Sequence, residues 1–192
     1  MFALGRPSDD RLDAVLADQA DAPYSYEAVG ATRSGPLPEG YRHDRRSVAL
    51  GSGQSVFDRA VEGLRRWELH RAAGTRLRPV APPLAEGVVV VQAIAAGPLT
   101  VVAPCRIVYV VDEPDAFGFG YGTLAAHPEE GEERFLVVRS GGPDGEVAFE
   151  ITSFSRPRHV LARLGRPVTR FMQVRVTRRY LDGLRRYAQS GA

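Results

Sequence analysis

Hydrophobic and polar positions recur along this chain at two different periods, and the switches between them divide it into elements. Over residues 55–73 the apolar positions Phe57, Ala60, Val61, Leu64 and Trp67 fall three and four apart, which predicts one amphipathic helix stopped by Gly74. Arg59, Glu62, Arg66 and His70 then lie on its opposite, solvent-facing side. Near the start, Ser8 followed by Asp9 and Asp10 reads as a helix cap. Leu12, Val15 and Leu16 give that helix a short apolar stripe before Pro23, so it is expected to be peripheral.

From residue 87 onward the period changes to two, which predicts strands over 87–95, 99–111, 117–125, 133–139 and 146–154. Their links are short, and Ser140-Gly141-Gly142-Pro143-Asp144-Gly145 has hairpin chemistry, so consecutive strands are expected to pair antiparallel. Shorter strands are expected near residues 26–32 and 48–50, with loop between them. After Ser155 and Pro157 a brief helical pattern through Val160, Leu161 and Leu164 stops at Gly165. A long helix then restarts at Pro167, with a stripe through Phe171, Met172, Tyr180, Leu181, Leu184 and Ala188.

An antiparallel sheet with one apolar face needs a helix to cover it. The order of elements predicts an α+β fold in which a curved antiparallel sheet wraps the long C-terminal helix, a helix-grip arrangement that leaves a cavity between the two layers. Residues 1–22 are read as an N-terminal extension and 23–192 as a single domain. One strand is unusual: Phe117, Phe119, Tyr121 and Thr123 point one way, while Gly118, Gly120 and Gly122 leave the other side bare. Such a bare side implies sharp curvature or another element, the C-terminal helix or a ligand, lying directly on the backbone. The glycines imitate a dinucleotide fingerprint, but that motif requires a strand, a tight turn and a helix start, whereas these alternate inside a strand.

The polar turn after this strand carries His127, Glu129, Glu130, Glu132 and Glu133. An imidazole and carboxylates on one hairpin can share a proton, which makes His127, Glu130 and Glu133 candidate acid/base residues and Tyr121 a candidate hydrogen-bond donor. Adjacent Glu132 and Glu133 must fall on opposite faces of a strand, so only one of them can face a pocket. The competing reading is a surface hairpin, with Pro128 and Gly131 setting the turn and the carboxylates paired to arginines. The spacing matches no metal motif, and neither a metal nor a cofactor is expected. Phe117, Phe119, Tyr121, Trp67 and Cys105 are the candidate ligand-lining residues. Cys105 alternates with Ile107, Tyr109 and Val111, the pattern of a buried small hydrophobe more than of a nucleophile. Ser155 reads as a helix cap.

Composition narrows the functional classes. All 25 basic residues are arginine, a coding bias of the source genome, and they balance 23 acids to a net charge of +2. A nucleic-acid binder is usually more one-sided, so nucleic acid is an unlikely partner. The exception is the segment from Arg156 to Arg186, where arginines face the single acid Asp182, and where an anionic partner would dock if the chain were an interaction protein. The single Cys105 excludes an intramolecular disulfide framework. No segment reaches the ~20 apolar residues of a membrane span, nor the apolar run of a signal peptide, and a cytoplasmic protein is expected.

Taken in order, Tyr26 with Val29-Gly30-Ala31-Thr32, Pro38-Glu39-Gly40-Tyr41, Leu50-Gly51-Ser52-Gly53, Phe57, Ala60, Trp67, Pro104-Cys105-Arg106, the run from Gly118 to Phe135 and Phe154-Ser155-Arg156-Pro157 resemble uncharacterised protein family 0548, a DUF1990-type domain. The resemblance spans roughly residues 24–187. It implies an architecture similar to the Bet v 1 and START-like helix-grip proteins, which mostly bind lipids, hormones or polyketide-like molecules and sometimes catalyse cyclisation. The expected function is binding of a small apolar or amphipathic molecule between sheet and helix. The alternative is a cofactor-independent enzyme of cyclase, isomerase or hydrolase type using His127 and a glutamate. The ligand and the oligomeric state stay open at this point.

Overall fold

The period-two segments do pair in sequence order. A computed structural model describes the backbone of residues 1–158 and 166–190, and the side chains of 1–158 and 174–190. The elements are β1 (Phe2–Leu4), α1 (Asp9–Asp18), β2 (Arg42–Ser52), α2 (Gln54–Arg65), α3 (Glu68–Ala72), β3 (Arg76–Arg78), β4 (Val89–Ala96), β5 (Leu99–Glu113), β6 (Ala116–Thr123), β7 (Glu129–Ser140), β8 (Glu146–Pro157) and α4 (Arg166–Gln189). They build one eight-stranded sheet in the order β2-β8-β7-β6-β5-β4-β3, with β1 paired to the start of β5. Every pairing is antiparallel. This is the expected α+β helix-grip arrangement, with α2, α3 and α4 against the inner face. The short helical piece expected near Val160 to Leu164 lies outside the described residues.

The core joins that inner face to the helices. Phe119, Phe135, Phe149 and Ile107 from the strands meet Leu64, Trp67, Leu69 and, from α4, Tyr180, Leu184 and Ala188. Burying an aromatic or aliphatic side chain of this size contributes about 1.5–3 kcal/mol. On the outer face of the sheet a smaller cluster of Ala3, Leu12, Val91, Ala93 and Val102 seats α1 over β4 and β5. Close approach of the helices depends on Gly183, where a Cβ would sit 2.5 Å from that of Ala72.

The expected helix over 55–73 is broken. Trp67 adopts a left-handed conformation with φ 58°, an outlier for so bulky a residue. Its buried indole donates from Nε1 to the Pro82 carbonyl at 2.8 Å and lies tilted against Phe119 at 5.0 Å, contacts that hold the turn in place. The break rotates α3 relative to α2. His70, expected on the polar face, is consequently buried completely.

Two further departures from the pattern set the site. β2 begins at Arg42, well before the apolar Val48 that signals it, because the polar stretch 42–47 pairs with β8 along an edge of the sheet. Charged side chains suit an exposed sheet edge. In β5 the register slips between Ile107 and Tyr109. This bulge turns Tyr109 to the outer face opposite Gly120, while Cys105 and Ile107 stay inward. The expected alternation from Cys105 through Tyr109 is therefore interrupted.

Candidate functional site

At one end of the sheet's inner face the helices do not fill the space, and a cavity of about 490 Å³ remains. Strand alternation decides its chemistry. Ile94 and Ala96 from β4 and Leu99, Val101 and Ala103 from β5 form an apolar wall. Across from them, Arg42 and Asp44 from β2, Ser153 and Ser155 from β8, and Glu129 and Glu133 from β7 form a polar one. Gln92, Cys105 and Tyr121 lie between, and Val176, Thr177 and Tyr180 of α4 close the cavity from above.

Glu133 stands at the centre of the polar wall. Tyr121, its cross-strand neighbour, donates its hydroxyl proton to Glu133 Oε2 at 2.9 Å. Burial pushes the Glu133 carboxyl up to about 7; the Tyr121 bond opposes this, and the carboxylates of Glu129 and Asp44 add to it. A group so placed exchanges its proton near neutral pH, as a general acid or base must. Tyr121 and Tyr180 are both held well above the usual phenol range, first by burial and then by the charge of Glu133. Both therefore remain protonated donors.

His127 reaches the cavity from the turn between β6 and β7, where its Nδ1 lies 3.0 Å from the amide nitrogen and 2.8 Å from the carbonyl oxygen of Glu129. The main chain thus holds either tautomer. Burial lowers its pKa to about 3, so the ring is neutral at physiological pH. Cys105 is buried in the wall, with Gln92 Nε2 3.9 Å from its Sγ. Burial raises its pKa far above the usual thiol range, which removes the thiolate that nucleophilic chemistry needs. Among the described residues, no three His, Cys, Asp or Glu side chains converge as metal ligands would.

The structure thus gathers Tyr121, His127, Glu133 and Cys105 around one space and leaves the other candidates elsewhere. Phe117 and Phe119 of β6 and Trp67 between α2 and α3 belong to the packed core, because the cavity lies toward the other end of β6. Glu130 faces outward, since β7 already begins at Glu129 and the alternation carries 129, 131 and 133 inward. There it pairs with Arg156 and accepts a hydrogen bond from the Tyr41 hydroxyl at 3.4 Å. Ser155 is a strand residue of the cavity wall and caps no helix. Arg42, Asp44, Gln92 and Ser153 were not anticipated. The period-two placement of Arg42, Asp44 and Arg46 was the available signal.

Glu132 points the other way and organises the outer face. It accepts hydrogen bonds from Tyr26 Oη at 2.6 Å, Gly30 N at 2.7 Å, Thr32 N at 2.9 Å and the Thr32 hydroxyl. Since Thr32 gives its one proton to Glu132, the Tyr109 hydroxyl, 2.7 Å away, donates to Thr32. Tyr109 and Tyr26 then cover Gly120 and Gly122, where an added Cβ would come within 2.5 Å of the Tyr109 ring and 2.1 Å of the Tyr26 hydroxyl oxygen. The bare face of β6 is thus covered by two tyrosines on the outside of the sheet, not by the C-terminal helix.

A family model described as "Domain of unknown function (DUF1990)" matches residues 25–183. The chain belongs to the DUF1990 family. The interval matched by this DUF1990 domain takes in both the cavity and the Glu132 knot. Among relatives, the UPF0548 protein of Deinococcus radiodurans is 34% identical over 200 residues, covering 98% of this chain and 99% of its own. Among solved structures, the hypothetical protein jhp0584 from Helicobacter pylori aligns with a TM-score of 0.59 at 12% identity, over 88% of this chain and all of its own. The ZhuI aromatase/cyclase from Streptomyces sp. R1128 aligns at 0.54 and 13%, over 79% and 99%. These likenesses place the DUF1990 domain among the helix-grip folds. Among the described residues of this DUF1990 chain, no helix is long and apolar enough to cross a membrane.

Proposed function

We propose that the cavity binds a small amphipathic molecule, its apolar body against Ile94, Leu99, Val101 and Ala103 and its polar end toward Tyr121, Glu133 and Ser153. The observation that carries this reading is the division of one concave space into an apolar and a polar wall. Ligand sites combine a mostly apolar lining with a few placed polar groups in this way, and 490 Å³ falls within their usual size. The test is native mass spectrometry of the purified protein with denaturing extraction, together with titration of the fluorescent probe 1-anilinonaphthalene-8-sulfonate. Ala96, half-exposed at the cavity rim, offers a blocking substitution that spares the core. A co-purified small molecule, or probe binding weakened in Ala96→Trp, supports the reading. An empty protein whose probe binding ignores Ala96→Trp overturns it.

A second reading is supported by the pKa of Glu133 near neutrality: an acid/base enzyme in the same cavity. Glu133 would take or give a proton while the Tyr121 hydroxyl steadies developing negative charge. A binding protein returns its ligand unchanged in mass, whereas an enzyme does not. Under this reading Glu133→Gln abolishes turnover and leaves binding largely intact. The interaction-protein reading has less to stand on, because Arg179 donates to the Ala73 carbonyl and Arg185 pairs with Asp182 within the helix surface.

A further inference from the structure

The outer face of the sheet carries a second depression, of about 480 Å³, on the side opposite the amphipathic cavity. Antiparallel register brings Arg45 of β2 and Arg134 of β7 to either side of Thr152 on β8, in a single row across three adjacent strands. With strands about 4.8 Å apart, two arginines two strands apart can reach one small ligand from both sides. The neighbouring row places Ser47 beside Glu150. Along the rim runs the loop that Glu132 fastens, which brings the Arg33 guanidinium over the Tyr109 ring at 5.5 Å.

The charge in this depression is not balanced. Four arginines, Arg33, Arg45, Arg46 and Arg134, line the depression with one acid, Glu150, and of the four Arg46 is paired to Asp44 at 3.0 Å. Arg134 is largely buried, with 19% of its side chain exposed. Its Nη2 makes long contacts, 3.4 Å to Glu150 and 3.3 Å to Thr152, and among the described residues its buried Nε has no hydrogen-bond partner. A guanidinium withdrawn from water with a donor unused is costly unless an acceptor is supplied. Planar guanidinium groups match the oxygens of a phosphoryl group in pairs.

We propose that this outer depression binds a compact phosphoryl group, held by Arg134 from below and by Arg45 and Arg33 from the rim. The bound oxygens take up the Nη2 group of Arg134, whose contacts to Glu150 and Thr152 are long, and the Thr152 hydroxyl at the floor adds a neutral contact. Glu150 opposes the ligand and keeps the empty site from being a bare cluster of positive charge. The proposal does not rest on the amphipathic cavity, which lies across the sheet.

Isothermal titration with inorganic phosphate, pyrophosphate and AMP tests it, in the full chain at low salt. Arg33 and Arg45 are exposed, so Arg33→Ser/Arg45→Ser leaves the core untouched. The expected result is saturable binding of at least one probe, weakened by about tenfold or more in that double variant and tightened in Glu150→Gln. Tighter binding of AMP than of the inorganic ions assigns the site to a phosphorylated metabolite; the reverse assigns it to free phosphate or polyphosphate. Absence of binding by all three probes at millimolar concentration overturns the proposal. So does binding that the double variant leaves unchanged.

Discussion

Tyr121 and Glu133 face each other across adjacent strands, and a 2.9 Å hydrogen bond between them links the aromatic core to the polar wall of the cavity. Toward the core, the Tyr121 ring lies 5.2 Å from Phe135. Toward the cavity, its hydroxyl fixes one oxygen of a carboxyl group that burial has made reluctant to ionise.

That reluctance sets a pH dependence. Glu133 rises from an ordinary 4.5 to about 7 in the folded chain, so the native state holds its proton more tightly than the unfolded state does. Its contribution to stability is complete below pH 4.5 and is lost as the pH rises through 7. The full loss is on the order of 3 kcal/mol. Glu133→Gln should remove this decline, so that urea midpoints of variant and parent diverge progressively from pH 4.5 to pH 7 in favour of the variant. Parallel curves over that range would mean that Glu133 ionises freely.

The tyrosine cover over β6 gives a coupling prediction. A methyl at Gly120 would meet the Tyr109 ring at 2.5 Å, and that ring is tied down through Thr32. Gly120→Ala should cost about 2 kcal/mol. In a Tyr109→Ala background the same change should cost far less, a coupling of at least about 1 kcal/mol. Additive effects in the four-protein cycle would show that the glycine serves curvature and not the ring.

Much of this fold was legible beforehand, and the losses have physical causes. The hairpins from β4 to β8 alternate cleanly because one face is buried. β2 is legible only near Val48 because an edge strand whose first half is Arg42 to Ser47 buries too little for alternation to register. Period two separates Glu132 from Glu133 but leaves open which of them turns inward; the pairing of Tyr121 with Glu133 decides it. The same rule failed at Tyr109, where one inserted residue reverses the faces, and a bulge leaves no mark in hydrophobicity. His70 was misplaced for a similar reason: the left-handed turn at Trp67 changes helical phase without a glycine to announce it. Phe117 and Phe119 share the inner face with Tyr121 but lie in the packed core, since the boundary between core and cavity depends on how far the helices reach.

Glu132 yields a sharper test than its isosteric substitution suggests. Every group it contacts, from Tyr26, Gly30 and Thr32, is a donor. Glu132→Gln keeps the shape but turns an NH2 group toward those donors, so it should destabilise by about 3 kcal/mol, nearly as much as Glu132→Ala. Both variants should also make the chain between Tyr26 and Thr32 sensitive to limited proteolysis in the native state. A mild Gln variant with the loop still protected would place the strength of this knot elsewhere.

His70 supplies the acid side of the stability profile. It is fully buried among Trp67, Phe135, Tyr121 and Tyr180, and neither ring nitrogen has a hydrogen-bond partner. Burial lowers its pKa from 6.5 to about 3, so the unfolded chain takes up a proton that the native state refuses. Stability from this residue is therefore present above pH 6.5 and declines as the pH falls toward 3, by up to about 1.4 kcal/mol per unit. Glu133 acts in the opposite direction, which leaves maximum stability between the two limbs. His70→Leu has similar volume and no polar atoms to desolvate, so at pH 7 it should be neutral or stabilising by about 1 kcal/mol. Its advantage should widen at pH 5, measured by urea unfolding of both proteins at each pH. A variant destabilised equally at both values would show that the imidazole is satisfied in the folded chain and that the acid limb arises from other groups.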